Sequence, residues 1–486
     1  MQITKREFLK KLGLVSAAGI GGAAFGDEFV ASNEKIPAGS VGDPAIPSWA
    51  AKMFPLEHTL TDGPSCVLKD GKVYEPAHEV PVFHETDVVV VGGGPAGFAA
   101  AIGAARAGAK VALVERYGSL GGLFTNGMVL IMLCTSANED GKWRLVQGGL
   151  VTEFADRAHA LGGDIGNYGT ERANGRVHWQ PTVDPEGAKY LMDRMIAEEK
   201  VEMFFHSWGV DVIEEVKSKS EEGKSETVVK GVIFESKQGR QAILAKQVVD
   251  CTGDADMLFK AGGDYRQITH GIGHVVRLGN MDRITAKSAP VGADGKPLPG
   301  PWPTRSNEGN PSLWWGNTDP GPKGNGLDVR DLTGAEIAFR KKWFEHVRTM
   351  RKTPGWEEVF IANTCSQIGP RATRLVDAEV VLSRKDLDAR PTFDDTIGWC
   401  GVAAVHPAHP IPYRAIVPKK VDNLLCAGRC LGTGDSVDTF RLICPCFVTG
   451  QAAGVAAALA TKKGIAPRTL AYGDLRNELL RQKVYL

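Results

Sequence analysis

The chain has 486 residues, 43% hydrophobic and 23% charged, with 57 basic and 57 acidic side chains. That length suits two joined domains better than one simple core. A formal net charge of zero leaves no whole-chain attraction to nucleic acid or to an anionic membrane, so neither is expected as a partner.

Residues 1–26 read as an export signal: Lys5, Arg6, Lys10 and Lys11 precede a Gly- and Ala-rich apolar run from Leu12 to Phe25, too short to span a bilayer. The alternative is an amphipathic N-terminal helix. The stretch TKREFLKK is similar to twin-arginine signals, with Lys5 where the first arginine usually stands. Such a signal implies export of a protein already folded around its cofactor, hence a periplasmic or extracytoplasmic location without stable membrane insertion. Nine cysteines lie mostly in apolar or Gly-rich segments, with no zinc- or cluster-type spacing. Free, buried thiols and no metal are expected.

Residues 27–84 are rich in Pro, Gly and charge and read as a surface arm. Next comes a predicted strand (Asp87–Val91), a glycine turn, a helix to about Gly108 and a second strand (Lys110–Val114) ending at Glu115, which is a βαβ opening. Asp184 is placed to cap a helix that has Pro185 in its first turn. Strands are predicted at Val201–Phe205, Gly209–Ile213 and Val228–Phe234, and then in AILAKQVVDCTGDAD. Residues 265–420 change texture: a Pro/Gly/Trp stretch is followed by helical patterns near Gly334–Arg351 and Ala372–Ser383. The chain then returns to a strand, NLLCAG, and a small-residue helix, GQAAGVAAALA. The domains predicted are 85–264 and 421–486 as the two parts of a dinucleotide-binding domain, with 265–420 inserted as a substrate domain.

Gly92, Gly94 and Gly97 form G-x-G-x-x-G between strand and helix. The first allows the tight turn, the second lets a pyrophosphate approach the backbone, and the third lets helix and strand pack closely. The helix N-terminus, with Pro95 and Ala96, offers free N–H groups to phosphates. Glu115 stands where an acid accepts hydrogen bonds from ribose hydroxyls. Arg116, Gly121, Gly122 and Thr125 follow it, along the far side of the same dinucleotide. Gly253 and Asp254 end the later strand, and Gly428, Arg429, Gly450, Gln451 and Ala453 belong to the last strand–turn–helix, whose N-terminus would favour an anionic reduced ring.

These segments, with DPEGAKYLMDRM, QIGPRATRLVDAEVVLSRKD, FDDTIGWCG and IPYRAIVP, resemble the FAD-dependent oxidoreductases of the glutathione-reductase-like two-domain type, related to heterodisulfide-reductase flavin subunits. The resemblance covers residues from about 85 to 462. It implies an α/β fold, with a Rossmann-type FAD-binding domain built of βαβ units and an inserted α+β substrate domain. It also implies one FAD per chain and redox chemistry on a small organic substrate. No second G-x-G-x-x-G unit is present, so the expected electron partner is a quinone, a cytochrome or oxygen, not a nicotinamide.

The substrate side is expected from four places. Arg371 and Arg374, three apart, would share a helix face and suit an oxyanion. The family's acid after the first arginine is replaced here by Ala372, so no Arg–Glu role is implied. His406, His409, Tyr413 and Arg414 lie in a Pro-stiffened loop and offer proton carriers. Arg441, at a position basic in the family, would neutralise substrate or reduced-flavin charge. Cys444 and Cys446 leave open a thiol or heterodisulfide-type reaction, although neighbours on a strand point apart. A flavin-bearing electron-transfer subunit without its own pocket is the remaining alternative. Trp302, Trp314 and Trp315 either line a cleft or staple a long loop, while Met192 and Met195 are core.

Overall fold

Four consecutive valines, Val88–Val91, are at most 2% exposed, the mark of a parallel strand covered on both faces. They end β1 (Val82–Val91), which continues through the glycine turn into α1 (Pro95–Arg106) and β2 (Val111–Val114). The computed structural model describes residues 65–139, 142–161, 166–167, 181–216, 227–286, 290, 295, 305–307, 310–317, 323–389, 392–401 and 408–486. All of these belong to one unit spanning residues 44–486. The export signal, His406 and Trp302 lie outside the described residues.

Helix α2 (Leu150–Ala160) and helix α3 (Pro185–Glu198) follow. Asp184 caps α3 as its position predicts, accepting from the Glu186 and Gly187 N–H groups at 2.9 and 3.2 Å. Strand β3 (Glu202–Phe204) then pairs parallel with β2. Strand β5 (Thr227–Ser236) runs antiparallel to both β4 (Trp208–Val216) and β6 (Gly239–Asp250), giving the sheet order β4-β5-β6-β1-β2-β3. The second half of β6 lies parallel to β1 and also to the strand Leu424–Cys426. Parallel pairing thus joins five strands, β6, β1, β2, β3 and Leu424–Cys426, and their C-terminal ends open onto one edge, where α/β folds bind ligands. The α/β class is the one the sequence predicts.

A short helix, α4 (Asp256–Lys260), leaves the end of β6. Asp250, fully buried, ties this corner by accepting from the N–H groups of Thr252, Met257 and Leu258 and from the Thr252 hydroxyl. A separate antiparallel sheet is built from Arg305–Asn307, Asn310–Asn317, Val275–Gly279 and Phe360–Thr364. The 22-residue α5 (Val329–Met350) lays Trp343, Val347 and Met350 against Val276, Leu278 and Trp356, forming a core separate from that of the parallel sheet. Trp314 packs against this small core, and Trp315 donates its indole N–H to the Met128 carbonyl, which is the stapling role.

The helix expected at Ala372–Ser383 does not form. Arg374–Val376 is a strand paired with Tyr265–Gln267, and Val376 N–H bonds to the Cys430 carbonyl. Tertiary pairing overrides the helical spacing there. Ser383 instead caps a short helix, Arg384–Asp388, through a capping box with Asp386.

The small-residue helix, α6 (Ile443–Lys463), starts seven residues earlier than the predicted stretch at Gly450. Its glycines serve packing. A Cβ on Gly450 or Gly454 would sit 2.1 or 1.9 Å from the carbonyl oxygens of Ala96 or Ala100, so α1 and α6 touch backbone to backbone. Phe447 fills the space beside them, its ring centroid 5.6 Å from Phe98 and 5.7 Å from Phe154.

Candidate active site: a cleft along the strand ends

A cleft runs along the C-terminal ends of the parallel strands. Its lining begins at the glycine turn. Gly92 has φ of +97°, and a Cβ there would lie 2.5 Å from the Cys251 carbonyl oxygen. A Cβ on Gly97 would lie 1.7 Å from the Gly92 carbonyl oxygen, so this glycine locks helix to turn and does not line the cleft. At Gly94 a Cβ would meet no atom within 4 Å. That open face lines the cleft with Pro95 and Ala96, where free N–H groups of α1 can receive a phosphate.

Glu115 sits beside this turn, 4% exposed. Its carboxylate accepts from the Gly93 N–H at 2.6 Å and the Tyr117 N–H at 2.8 Å. Burial raises its pKa while those hydrogen bonds pull it back. The Arg116 guanidinium lies 4.8 Å from the Tyr117 ring and 5.5 Å from the Trp208 ring. Tyr117, Ser207, Trp208 and Gly209 line the cleft here and were missed in the sequence reading. The usable signal was their place: they follow the ends of β2 and β3, which only sheet order makes neighbours.

The second group of lining residues comes from distant segments: Thr252, Gly253 and Asp256; Gln367; Gly428 and Arg429; and Arg441, Leu442, Ile443 and Cys446. Arg429 crosses Gly253 and pairs with Asp254 at 2.7 Å. Asp254 also accepts from the Thr373 hydroxyl at 2.5 Å, so it braces the wall and does not line it. The other guanidinium nitrogen, Arg429 Nη1, is buried without a hydrogen-bond partner among the described residues, as is Gln367 Oε1. Buried polar atoms left open beside a cleft mark positions for a ligand's polar groups. Arg441, on the turn before α6, contacts Asp438 at 2.7 Å, and Asp438 lies 3.4 Å from His270 Nε2. Burial would raise Asp438, but the hydrogen bond and charge of Arg441 hold it below the ordinary carboxylate value.

Several predicted residues stand elsewhere. Arg371 and Arg374 do not share a helix face. Arg371 follows the short strand Gly369–Pro370, its N–H bonded to the Gly271 carbonyl. Arg374 bridges Asp256 and the Asp254 carbonyl and lies over the Phe259 ring at 4.3 Å. Tyr413 is 5% exposed and donates to the Pro467 carbonyl at 3.0 Å. Burial pushes its hydroxyl far above its ordinary value, which suits packing and not proton transfer. His409 is in a strand opposite Cys400, and Arg414 pairs with Asp394 and Asp395. Gly121 and Thr125 shape the turn under the cleft, where the Thr125 hydroxyl bonds the Leu120 carbonyl; Gly122 lines it.

Gly450, Gln451 and Ala453 are corrected from cofactor-facing to helix-packing positions. Gln451 accepts from the Leu150 N–H and donates to Gln482. The cause is the early start of α6: at 1.5 Å per residue, Gly450 lies about 10 Å beyond the helix end that faces the cleft. Cys444 and Cys446 are likewise helical, not on a strand. Cys446 lines the cleft, with burial pushing its thiol up to about 12, and Cys444 turns into the core toward Cys134. All nine cysteines are free, and only Cys66 is exposed.

A stretch of 46 residues is 59% identical to a dihydrolipoyl dehydrogenase of Trypanosoma brucei brucei, and the match spans only 10% of this chain and 10% of that protein. Among solved structures, a geranylgeranyl bacteriochlorophyll reductase-like protein of Thermoplasma acidophilum is 14% identical, with 83% of this chain and 84% of that one covered at a TM-score of 0.40. A p-nitrophenol 4-monooxygenase of Pseudomonas putida is 11% identical over 82% of this chain and 84% of its own, at a TM-score of 0.41. Residues 87–479 match the family described as FAD dependent oxidoreductase. With the glycine turn, the buried acid and the open cleft in place, this chain belongs to the FAD-dependent oxidoreductase family.

Proposed function

We propose that the protein transfers hydride or electrons between a small organic substrate and an acceptor other than a nicotinamide, such as a quinone, a cytochrome or oxygen. The observation that carries this reading is Arg441. It lines the same cleft as Glu115, on the turn before α6, with Asp438 as its acidic partner. When bound, FAD would supply the hydride and electron chemistry, and the protein supplies position, charge and water exclusion.

The residues fit that group. Gly94, Pro95 and Ala96 would receive the pyrophosphate, and Glu115 the ribose. Arg116, Tyr117 and Trp208 would border the adenine end. Arg429 Nη1 and Gln367 Oε1, both without partners among the described residues, would hydrogen-bond polar groups further along. Arg441 would bind an oxyanion of the substrate or balance negative charge that develops beside it. Leu123, Val129, Leu442 and Ile443 would keep water from the reacting face.

A thiol or heterodisulfide reaction is less well supported. Cys446 alone of the Cys444–Cys446 pair lines the cleft, and its raised pKa opposes thiolate formation. The glutathione-reductase-like relationship, the domain division and export through a twin-arginine-like signal belong to the same reading, since a tightly held FAD suits export of a folded protein.

Anaerobic photoreduction of the purified holoenzyme, followed by reoxidation against organic acids, sugars, quinones, dyes and oxygen, tests the proposal. Reoxidation by a quinone or oxygen, with rapid reduction by one organic donor, is the expected outcome. Reduction by nicotinamide cofactors at a catalytic rate would overturn the choice of carrier.

A further inference from the structure

The balanced charge of the whole chain conceals a local excess on α5. Five basic residues stand against three acids within the helix, and Arg351 and Lys352 follow directly. One face of the helix, with Phe339, Trp343, Val347 and Met350, is buried. At about 100° per residue, Arg330, Ile337, Lys341, Phe344 and Arg348 share one strip roughly 60° wide on the outer side. No acid falls within that strip. Glu345, at its margin, lies 3.8 Å from Lys341, and Glu336 pairs instead with Arg340 at 2.7 Å.

An outward helix face ordinarily carries polar side chains. Here Ile337 is 60% exposed and Phe344 is 62% exposed, seven residues apart and interleaved with cations. Two isolated apolar side chains on a strip of one helix offer far less than the roughly 800 Å² that each side of a stable protein interface buries. They suit an anionic lipid surface, where cations meet headgroup phosphates while aliphatic and aromatic tips reach the acyl boundary.

We propose that α5 is a peripheral docking helix that rests on an anionic phospholipid surface through Ile337 and Phe344, with Arg330, Lys341 and Arg348 engaging the headgroups. The attachment is reversible and needs no spanning segment. It is independent of which electron carrier the enzyme uses.

Full-length holoenzyme is sedimented with vesicles of phosphatidylcholine alone and of phosphatidylcholine with phosphatidylglycerol. Partition onto the anionic vesicles is expected, weakened by high salt. Ile337→Ser with Phe344→Ser, and separately Lys341→Glu with Arg348→Glu, should each lower it by roughly tenfold or more, with flavin absorbance and thermal midpoint unchanged. Because residues 1–26 are themselves basic and apolar, every comparison is between full-length proteins. Failure to bind either vesicle overturns the proposal. So does equal binding by wild type and both variants, or wild-type dimerisation through this face that the variants abolish.

Discussion

The two groups of residues that line the cleft, one around Glu115 and one around Arg441, are built differently. The Glu115 group comes mostly from one continuous βαβ stretch, in which Gly92, Gly94, Gly97 and Glu115 meet through local turns. The lining around Arg441 draws on residues from 252, 367, 429 and 446, which lie far apart in the chain and meet only in the folded structure. The first group is therefore a backbone device, sensitive to the size of a glycine substituent. The second is a side-chain device held by ion pairs, sensitive to charge.

Substitutions can break or sharpen that contrast. The largest effect is expected at Gly97→Val, since even a Cβ would lie 1.7 Å from the Gly92 carbonyl oxygen. The turn cannot close, and soluble protein with flavin absorbance should not be recovered. At the second group, Arg429→Ala leaves the half-buried Asp254 without its guanidinium partner. Unfolding should cost about 3 kcal/mol less, and adding Asp254→Asn should restore a good part of it. A thermal midpoint unmoved by Arg429→Ala would show that the ion pair is not what holds this wall.

Arg441→Ala should leave FAD content and thermal midpoint unchanged while lowering kcat/KM for the identified donor by roughly 10- to 100-fold. Equal loss of bound flavin would assign Arg441 to cofactor binding and not to the substrate side. The smallest effect is expected away from both groups, at Asp193 on α3. Burial raises its pKa to about 6, only partly opposed by Lys189, and its Oδ1 has no partner among the described residues. The folded state thus holds this proton more tightly than the unfolded chain. The group's contribution is most favourable below about pH 4 and is lost as pH rises through 6. Asp193→Asn should raise stability by about 1 kcal/mol at pH 7 to 8, after allowance for solvent screening, with no gain at pH 4. Urea unfolding at the two pH values checks the sign.

Much of the first group was legible because its signals are local. A tight turn needs glycine wherever the chain comes, and Asp184 with Pro185 marks a helix start in any context. Tyr117 and Trp208 escaped notice because an aromatic beside a strand end carries no mark of its own. The helix expected at Ala372–Ser383 failed for a related reason. Its periodic apolar residues fit a helix in isolation, but the backbone groups of Arg374–Val376 found partners in Tyr265–Gln267 and Cys430.

What the sequence determined by itself was the α/β class, the glycine turn and its acid, the FAD-dependent chemistry and the free cysteines. The FAD-dependent chemistry follows from the family resemblance of the ordered motifs, and the rest from composition or local spacing, which need no knowledge of distant neighbours. Only the tertiary structure decided where α6 begins, which cysteine faces the cleft, that Tyr413 is core, and that Asp254 braces Arg429. These depend on backbone pairing and close helix contact between residues far apart in the chain. The same distinction separates a net charge of zero from the basic strip on α5, since a sum over residues carries no information about which of them share a face.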